Sequence, residues 1–219
     1  MESKIKLFFS SNDRYQRYSG VSRFIKPGET VLDVGGGPGV ISLFIKNPIT
    51  VLDINKEELK IAEISGANIL EVDFNNNNLK DSSYDVVVSV SALEHIKQNK
   101  RENYLKELKR IAKKRIIIFT PIGSLKYDKI LYKFKSFLGR KDPWTKEHIQ
   151  NGLPQINDLK KMFPNSKIIL TQNAYVWLTI MFLQTIPLIN KIFPGMAYIL
   201  LKPFNNLKHH TACILVLEK

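Results

Sequence analysis

Five consecutive residues, Gly35-Gly36-Gly37-Pro38-Gly39, constrain what this chain can fold into more than any other stretch. They follow the apolar run Val31-Leu32-Asp33-Val34. Glycine permits positive φ and close approach of backbone to a neighbour. Pro38 suits the first turn of a helix, where its missing N–H is not needed. A short helix is expected over Val40 to Lys46, followed by a second strand, Ile49 to Ile54, whose acid Asp53 stands twenty residues after Asp33. Strand, glycine turn, helix and strand ending in an acid form the local geometry that grips a nucleoside-bearing ligand.

The alternation continues downstream. Strands are expected at Thr30 to Val34, Ile49 to Ile54, Asn68 to Val72, Tyr84 to Ser91 and Arg115 to Thr120. Between them, Asn55 with Glu58 reads as a capping box for a helix near Lys56. Leu105, Leu108, Ile111 and Ala112 have helical spacing within Asn103 to Lys113. Five strand–helix alternations imply a parallel sheet with right-handed crossovers.

The regularity breaks after Pro121. Leu125 to Leu138 is basic and apolar at once, with Tyr127, Leu131 and Phe134 on one face, and a loop follows that carries Glu147 to Pro154. A helix is expected at Ile156 to Phe163 and two more strands at Lys167 to Thr171 and Ala212 to Glu218, about forty residues apart. A hairpin needs only about two to five, so the intervening segment is an insertion. It is uncharged from Ala174 to Asn190. A spanning helix needs about 20 apolar residues, and Gln184, Pro187 and Asn190 interrupt this one. The expected roles are a helical pair lying on a membrane or capping an apolar substrate tunnel, or ordinary core or dimer packing, to all of which Trp177, Phe182 and Phe193 are suited.

Composition narrows the classes. A chain of 219 residues with 44% apolar content can bury the core of one α/β domain. The single Cys213 excludes a disulfide framework and a thiolate metal site, and four scattered histidines offer little for zinc, so no metal is expected. No apolar run precedes the first basic cluster, which leaves a reducing cytoplasm as the default location. The net charge of +13 suits phosphate contacts, an anionic membrane surface or a plain solvated face.

Asp33 sharpens the ligand reading. A carboxylate just before the glycines would repel a pyrophosphate and suits a cationic amino-acid moiety. Asp53 at the second strand end can take ribose hydroxyls, and Asp73 at the third can accept from an adenine amino group. Each acid alone also fits a turn or helix cap. With these residues in place, the chain resembles the class I S-adenosylmethionine-dependent methyltransferases, in their small-molecule and ubiquinone/menaquinone-biosynthesis-like branch. The matching pieces are Val31 to Gly39, Val51-Leu52-Asp53-Ile54, Glu71-Val72-Asp73-Phe74 and Tyr84 to Ile96. The likeness is strong over residues 28–121 and loose over the last two strands. Pro38 departs from the usual Gly-x-Gly-x-Gly run, a common variant.

The resemblance implies a Rossmann-like α/β fold: a seven-stranded, mostly parallel sheet with helices on both faces and the last strand antiparallel. Residues 1–27 would form an N-terminal lid or helix, and 28–219 the domain, with substrate-side insertions at 122–154 and 172–211. It implies that Asp33, Gly35, Gly36, Gly37 and Gly39 hold the methionyl part of S-adenosylmethionine, Asp53 and Ile54 the ribose side, Asp73 and Phe74 the adenine, and that Ser91 lines the pocket. Proton-accepting candidates are His95 and His148, whereas His209 and His210 read as surface residues. An Asn-Pro-Pro-Tyr motif after strand four and a placed cysteine nucleophile are both missing, which lowers nucleic acid as acceptor. The basic aromatic segment and uncharged insert suit an apolar or amphiphilic acceptor: lipid, quinone or glycolipid-like. An RNA methyltransferase and a non-catalytic S-adenosylmethionine-binding protein are the alternatives. A peripheral membrane location and a monomer or homodimer are expected.

Overall fold

The computed structural model describes residues 3–219. Two helices, α1 (Lys4–Ser10) and α2 (Asn12–Ser22), precede the sheet. The core follows as β1 (Val31–Val34), β2 (Ile49–Asp53), α3 (Lys56–Ile64), β3 (Asn68–Glu71), β4 (Tyr84–Val90), α4 (Arg101–Ile111) and β5 (Ala112–Pro121). The C-terminal part adds α5 (Lys126–Phe137), α6 (Pro143–Asn151), α7 (Ile156–Met162), β6 (Lys167–Asn173), α8 (Ala174–Thr185), α9 (Phe193–Leu201) and β7 (His210–Glu218).

The strands form one seven-stranded sheet in the order β3-β2-β1-β4-β5-β7-β6. Pairs β1–β2, β1–β4, β2–β3 and β4–β5 are parallel, while β7 runs antiparallel to both β5 and β6. The Rossmann-like expectation therefore holds. Strand order reverses between β1 and β4, and in open α/β sheets such a switch point opens a crevice at the carboxyl ends of the strands.

Successive strand residues feed opposite faces. Val31, Val51, Val86 and Val88 pack with Val21 of α2 and Leu59 and Ala62 of α3. Leu32, Leu52, Val87, Ile116 and Ile118 pack with Leu105 and Leu108 of α4 and Leu159 of α7. Both faces are covered, which is why these strands read as unbroken apolar runs. Arg115, 3% exposed, is held inside by Glu29 at 2.9 Å and Glu218 at 2.6 Å.

Several boundaries differ from expectation. The helix after the glycines is a single 3₁₀ turn, Val40–Leu43, not a helix to Lys46. The β-branched Val40 and Ile41 and the approach of Pro48, which turns the preceding residue away from helical ψ, leave too little chain for an α-helix. Helix α4 stops at Ile111, and β5 starts at Ala112 because Ala112 pairs with Tyr84. The pairing of Asn173 with His210 lengthens β6 and β7, so His210 is a strand residue and not a surface residue preceding the strand. The segment carrying Glu147 and His148 is not a loop but helix α6, started by the Asp142 carboxylate accepting from Thr145 N at 3.2 Å and by Pro143 in its first turn.

No helix among the described residues is long and apolar enough to cross a membrane. In the insert, α8 packs on α9 and on α5, and α9 packs on α1. Aromatic pairs join α5 to α8: Phe134 with Phe182 at 4.4 Å and Tyr127 with Tyr175 at 6.2 Å.

Candidate functional site

Asp33 is the penultimate residue of β1 at the switch point, in register with Val51 of β2 and Val88 of β4. It is fully buried, and neither carboxylate oxygen has a hydrogen-bond partner. Burial, with the nearby Asp53 charge adding to it, pushes its pKa up to about 7. Such an orphaned carboxylate is costly to bury unless something pairs with it.

The glycine turn wraps this acid. Gly35 (φ 67°), Gly37 (φ 49°) and Gly39 (φ 66°) adopt left-handed backbone. A Cβ on Gly36 would stand 2.5 Å from Asp33 Oδ2 and 3.0 Å from Val51 Cγ1, so the space over the acid is available only to a bare backbone. Gly37 N–H donates to Asp53 Oδ2 at 2.8 Å, and Asn55 N–H donates to Asp53 Oδ1 at 2.9 Å. These bonds pin the turn to the end of β2.

Asn55 caps α3, accepting from Glu57 N at 3.1 Å and Glu58 N at 3.3 Å. Glu58 does not complete the expected capping box, because Asp53 already takes the Asn55 N–H. Its carboxylate lies against the glycine turn instead, 2.3 Å from where a Gly37 Cβ would be. Burial and Asp53 raise its pKa. Glu58 is thus a candidate site residue that the capping reading concealed.

The remaining expected residues are placed unevenly. Ile54 is 74% exposed beside Asp53, an apolar side chain with little protein cover. Asp73 is exposed and acts as a cap, accepting from Asn75 N at 3.0 Å, Asn75 Nδ2 at 2.9 Å and Asn76 Nδ2 at 3.2 Å. Phe74 is a core residue, 7% exposed and edge-on to Tyr104 at 5.0 Å. Ser91, just past β4, has φ 55° and accepts from Arg17 Nη1 at 2.8 Å.

Arg17 comes from α2, within the segment expected as an N-terminal lid or helix, but sequence reasoning did not single it out as a site residue. Its other terminal nitrogen pairs with Asp13 at 2.5 Å, and its guanidinium lies over Phe119, 5.8 Å from the ring centroid. Burial alone would raise the Asp13 carboxyl; Arg17 and a 3.0 Å bond from Gln184 outweigh it and hold the pKa low. Tyr18, next in the same helix, is buried and coupled to the Asp33 charge; burial first, then that charge, raises its pKa. Helix α2 thus lies close to the carboxyl edge of β1 and β4.

His95 lies on a 3₁₀ turn, Leu93–His95, and does not cap α4, whose N-cap is Lys100. Its Nδ1 bonds Glu147 at 2.7 Å, and His148 Nδ1 bonds Asp128 at 2.8 Å. The two rings stand 5.1 Å apart, and Trp144 meets His95 edge-on at 5.3 Å. The candidate bases therefore meet, each with one nitrogen held by a carboxylate.

Residues 32–119 match the family model for a methyltransferase domain. A ribosomal protein L11 methyltransferase from Caldicellulosiruptor bescii is 31% identical over 77 residues, covering 32% of this chain and 25% of that protein. The chain thus spans about a quarter of the length of that curated relative. Among solved structures, a SAM-dependent methyltransferase from Thermotoga maritima, a possible histamine N-methyltransferase, aligns over 99% of this chain and 98% of its own, with a TM-score of 0.59 at 16% identity. A mycolic acid cyclopropane synthase solved with SAH and CTAB aligns over 95% of this chain and 85% of its own, with a TM-score of 0.60 at 13% identity. This chain thus shares the fold of those solved methyltransferases, and its residues 32–119 match the methyltransferase-domain model.

Proposed function

We propose that this chain transfers the methyl group of S-adenosylmethionine to a small amphiphilic acceptor. The observation that carries the reading is Asp33: a buried carboxylate without a partner, under a turn where only glycine backbone fits. A ligand ammonium group would supply the missing counter-charge. The residues present fit the cofactor: Asp33 with Gly35, Gly36, Gly37 and Gly39 for its amino-acid end, Asp53 for ribose hydroxyls, and exposed Ile54 with Asp73 for the nucleoside side. Phe74 would support Asp73 from the core and not touch the base. When bound, the cofactor supplies an electrophilic methyl group on a sulfonium.

The protein's own work is positioning, water exclusion and proton handling. Helix α2 serves as the lid, anchored by the Arg17–Ser91 bond. His95 and His148 each offer Nε2 to the acceptor's proton, because a carboxylate holds each Nδ1 and so selects the tautomer.

The amphiphilic acceptor is supported by the insert. Leu188 (95%), Leu200 (73%), Ile199 (56%) and Ile192 (55%) are exposed, with exposed Lys191 and Lys202 beside them. Exposed apolar side chains flanked by lysines suit a lipid interface, which agrees with a peripheral membrane location and with quinone- or lipid-like acceptors. Trp177 is half-buried and contributes less than these residues. The test is incubation with methyl-labelled cofactor and separate lipid and aqueous extracts, followed by mass spectrometry. Label in the lipid fraction is expected; label confined to protein or RNA would refute the acceptor class.

A further inference from the structure

Glu94, His95 and His148 each present a ligand atom within 4.8 Å of the other two. We propose that they form a site for a divalent transition cation of the zinc or cobalt type. The binding inference stands on geometry; the cation's use in transfer rests on the methyltransferase reading.

The donor set is two imidazoles and one carboxylate, which suits zinc, iron or cobalt better than magnesium or calcium. The surroundings are those of a ligand set already oriented for a metal. Metal-binding histidines characteristically give their second ring nitrogen to a carboxylate. Here His95 Nδ1 meets Glu147 at 2.7 Å and His148 Nδ1 meets Asp128 at 2.8 Å. Both carboxylates fix the tautomer that leaves an Nε2 lone pair available. Glu94 is 1% exposed, and one of its oxygens accepts from Thr120 Oγ1 at 3.1 Å, which leaves the other for a cation.

The two ligand-bearing segments are braced together. Arg101 donates through Nε to the Ile96 carbonyl at 3.0 Å, and through Nη2 to the carbonyls of Glu94, Asn151 and Gly152. Asn151 Nδ2 donates to the His95 carbonyl at 3.0 Å. Helix α6 is thereby tied to the turn after β4, and the histidines, at 23% and 15% exposure, keep a path to solvent. Metal bonds of roughly 2.0–2.2 Å would draw the three atoms closer together than the 4.8 Å within which they lie. Three protein ligands leave an open position, where an acceptor oxygen could bind and lose its proton more readily. In that state the metal, and not a free Nε2, would activate the acceptor.

The test uses the full chain, stripped with chelator, then titrated with Co²⁺ by visible absorption and with Zn²⁺ by calorimetry. One equivalent should bind, with a cobalt d–d band. His95→Ala and His148→Ala should each weaken binding at least about 100-fold, and Glu147→Gln about 10- to 100-fold, while a His209→Ala/His210→Ala double variant binds normally. S-adenosylhomocysteine binding, measured alongside, reports that each protein is folded and keeps the methyltransferase reading separate. Wild-type protein that binds S-adenosylhomocysteine but gives no cobalt band and no zinc heat would overturn the site. So would binding that vanishes only with His209 and His210.

Discussion

Asp33 and Asp53 lie at the carboxyl ends of neighbouring parallel strands, one residue before the end of β1 and at the end of β2, and the charge on Asp53 adds to burial in holding the Asp33 pKa up at about 7. The folded-state value lies above the ordinary carboxylate value of 3.8. The folded protein therefore binds more protons than the unfolded chain between these values, and ligand-free stability falls as pH rises from about 4 to about 7. The span corresponds to a penalty on the order of 4 kcal/mol above neutrality. Asp33→Asn should raise the melting temperature of the ligand-free protein at pH 8 and flatten its pH dependence. Thermal unfolding from pH 5 to pH 8 measures both; a variant no more stable than wild type at pH 8 would contradict this account of Asp33.

Gly36→Ala tests the cradle. Its Cβ would meet Asp33 Oδ2 at 2.5 Å and Val51 Cγ1 at 3.0 Å, and neither neighbour is a mobile surface group. A loss of about 1–3 kcal/mol in stability is expected, with cofactor affinity reduced more than 10-fold. Gly37→Ala meets the flexible end of Glu58 instead, so Glu58 can swing aside and the cost is the left-handed backbone alone. Calorimetry on both variants should rank Gly36→Ala as the more damaging.

Arg17→Ala should loosen helix α2. It removes the Ser91 bond and the close ion pair of the buried Asp13, which keeps the Gln184 bond and the Arg14 charge. Breaking a buried pair on one side costs about 3–5 kcal/mol, whereas replacing both partners by apolar groups is often tolerated. The single variant should be cleaved faster by protease within residues 3–27, and an Asp13→Leu/Arg17→Met double variant should recover much of the stability. Equal protease resistance in the single variant would count against the lid.

Leu188→Asp with Leu200→Asp should abolish flotation with anionic liposomes without altering S-adenosylhomocysteine binding, since both side chains are exposed and far from packing roles. Salt-sensitive retention on RNA with no flotation would favour the RNA reading of the +13 charge.

The strands and the glycine turn were legible because their signals are local. Val31 to Gly39 and Tyr84 to Val90 are apolar runs closed by breakers, and burial on both faces keeps them unbroken. The histidine cluster was not legible, since His95 and His148 meet only when α6 folds onto the turn after β4. A local clue was present in Asp142-Pro143, a cap followed by proline in the first turn, which marks a helix where a loop was expected. Asp73 and Phe74 show the opposite limit. Their motif reads as a base-binding pair, and the sequence did not show that Asp73 also caps the following turn through Asn75 and Asn76 or that Phe74 packs in the core.

Calorimetric titration of wild-type and Asp33→Asn protein with S-adenosylhomocysteine at pH 6 and pH 8 tests the methyl-donor site most directly. Wild-type affinity should rise about 10-fold as Asp33 ionises through pH 7, Asp33→Asn should lose binding at both pH values, and NAD should give no heat. Undiminished S-adenosylhomocysteine binding by Asp33→Asn, or NAD binding in its place, would contradict the assignment.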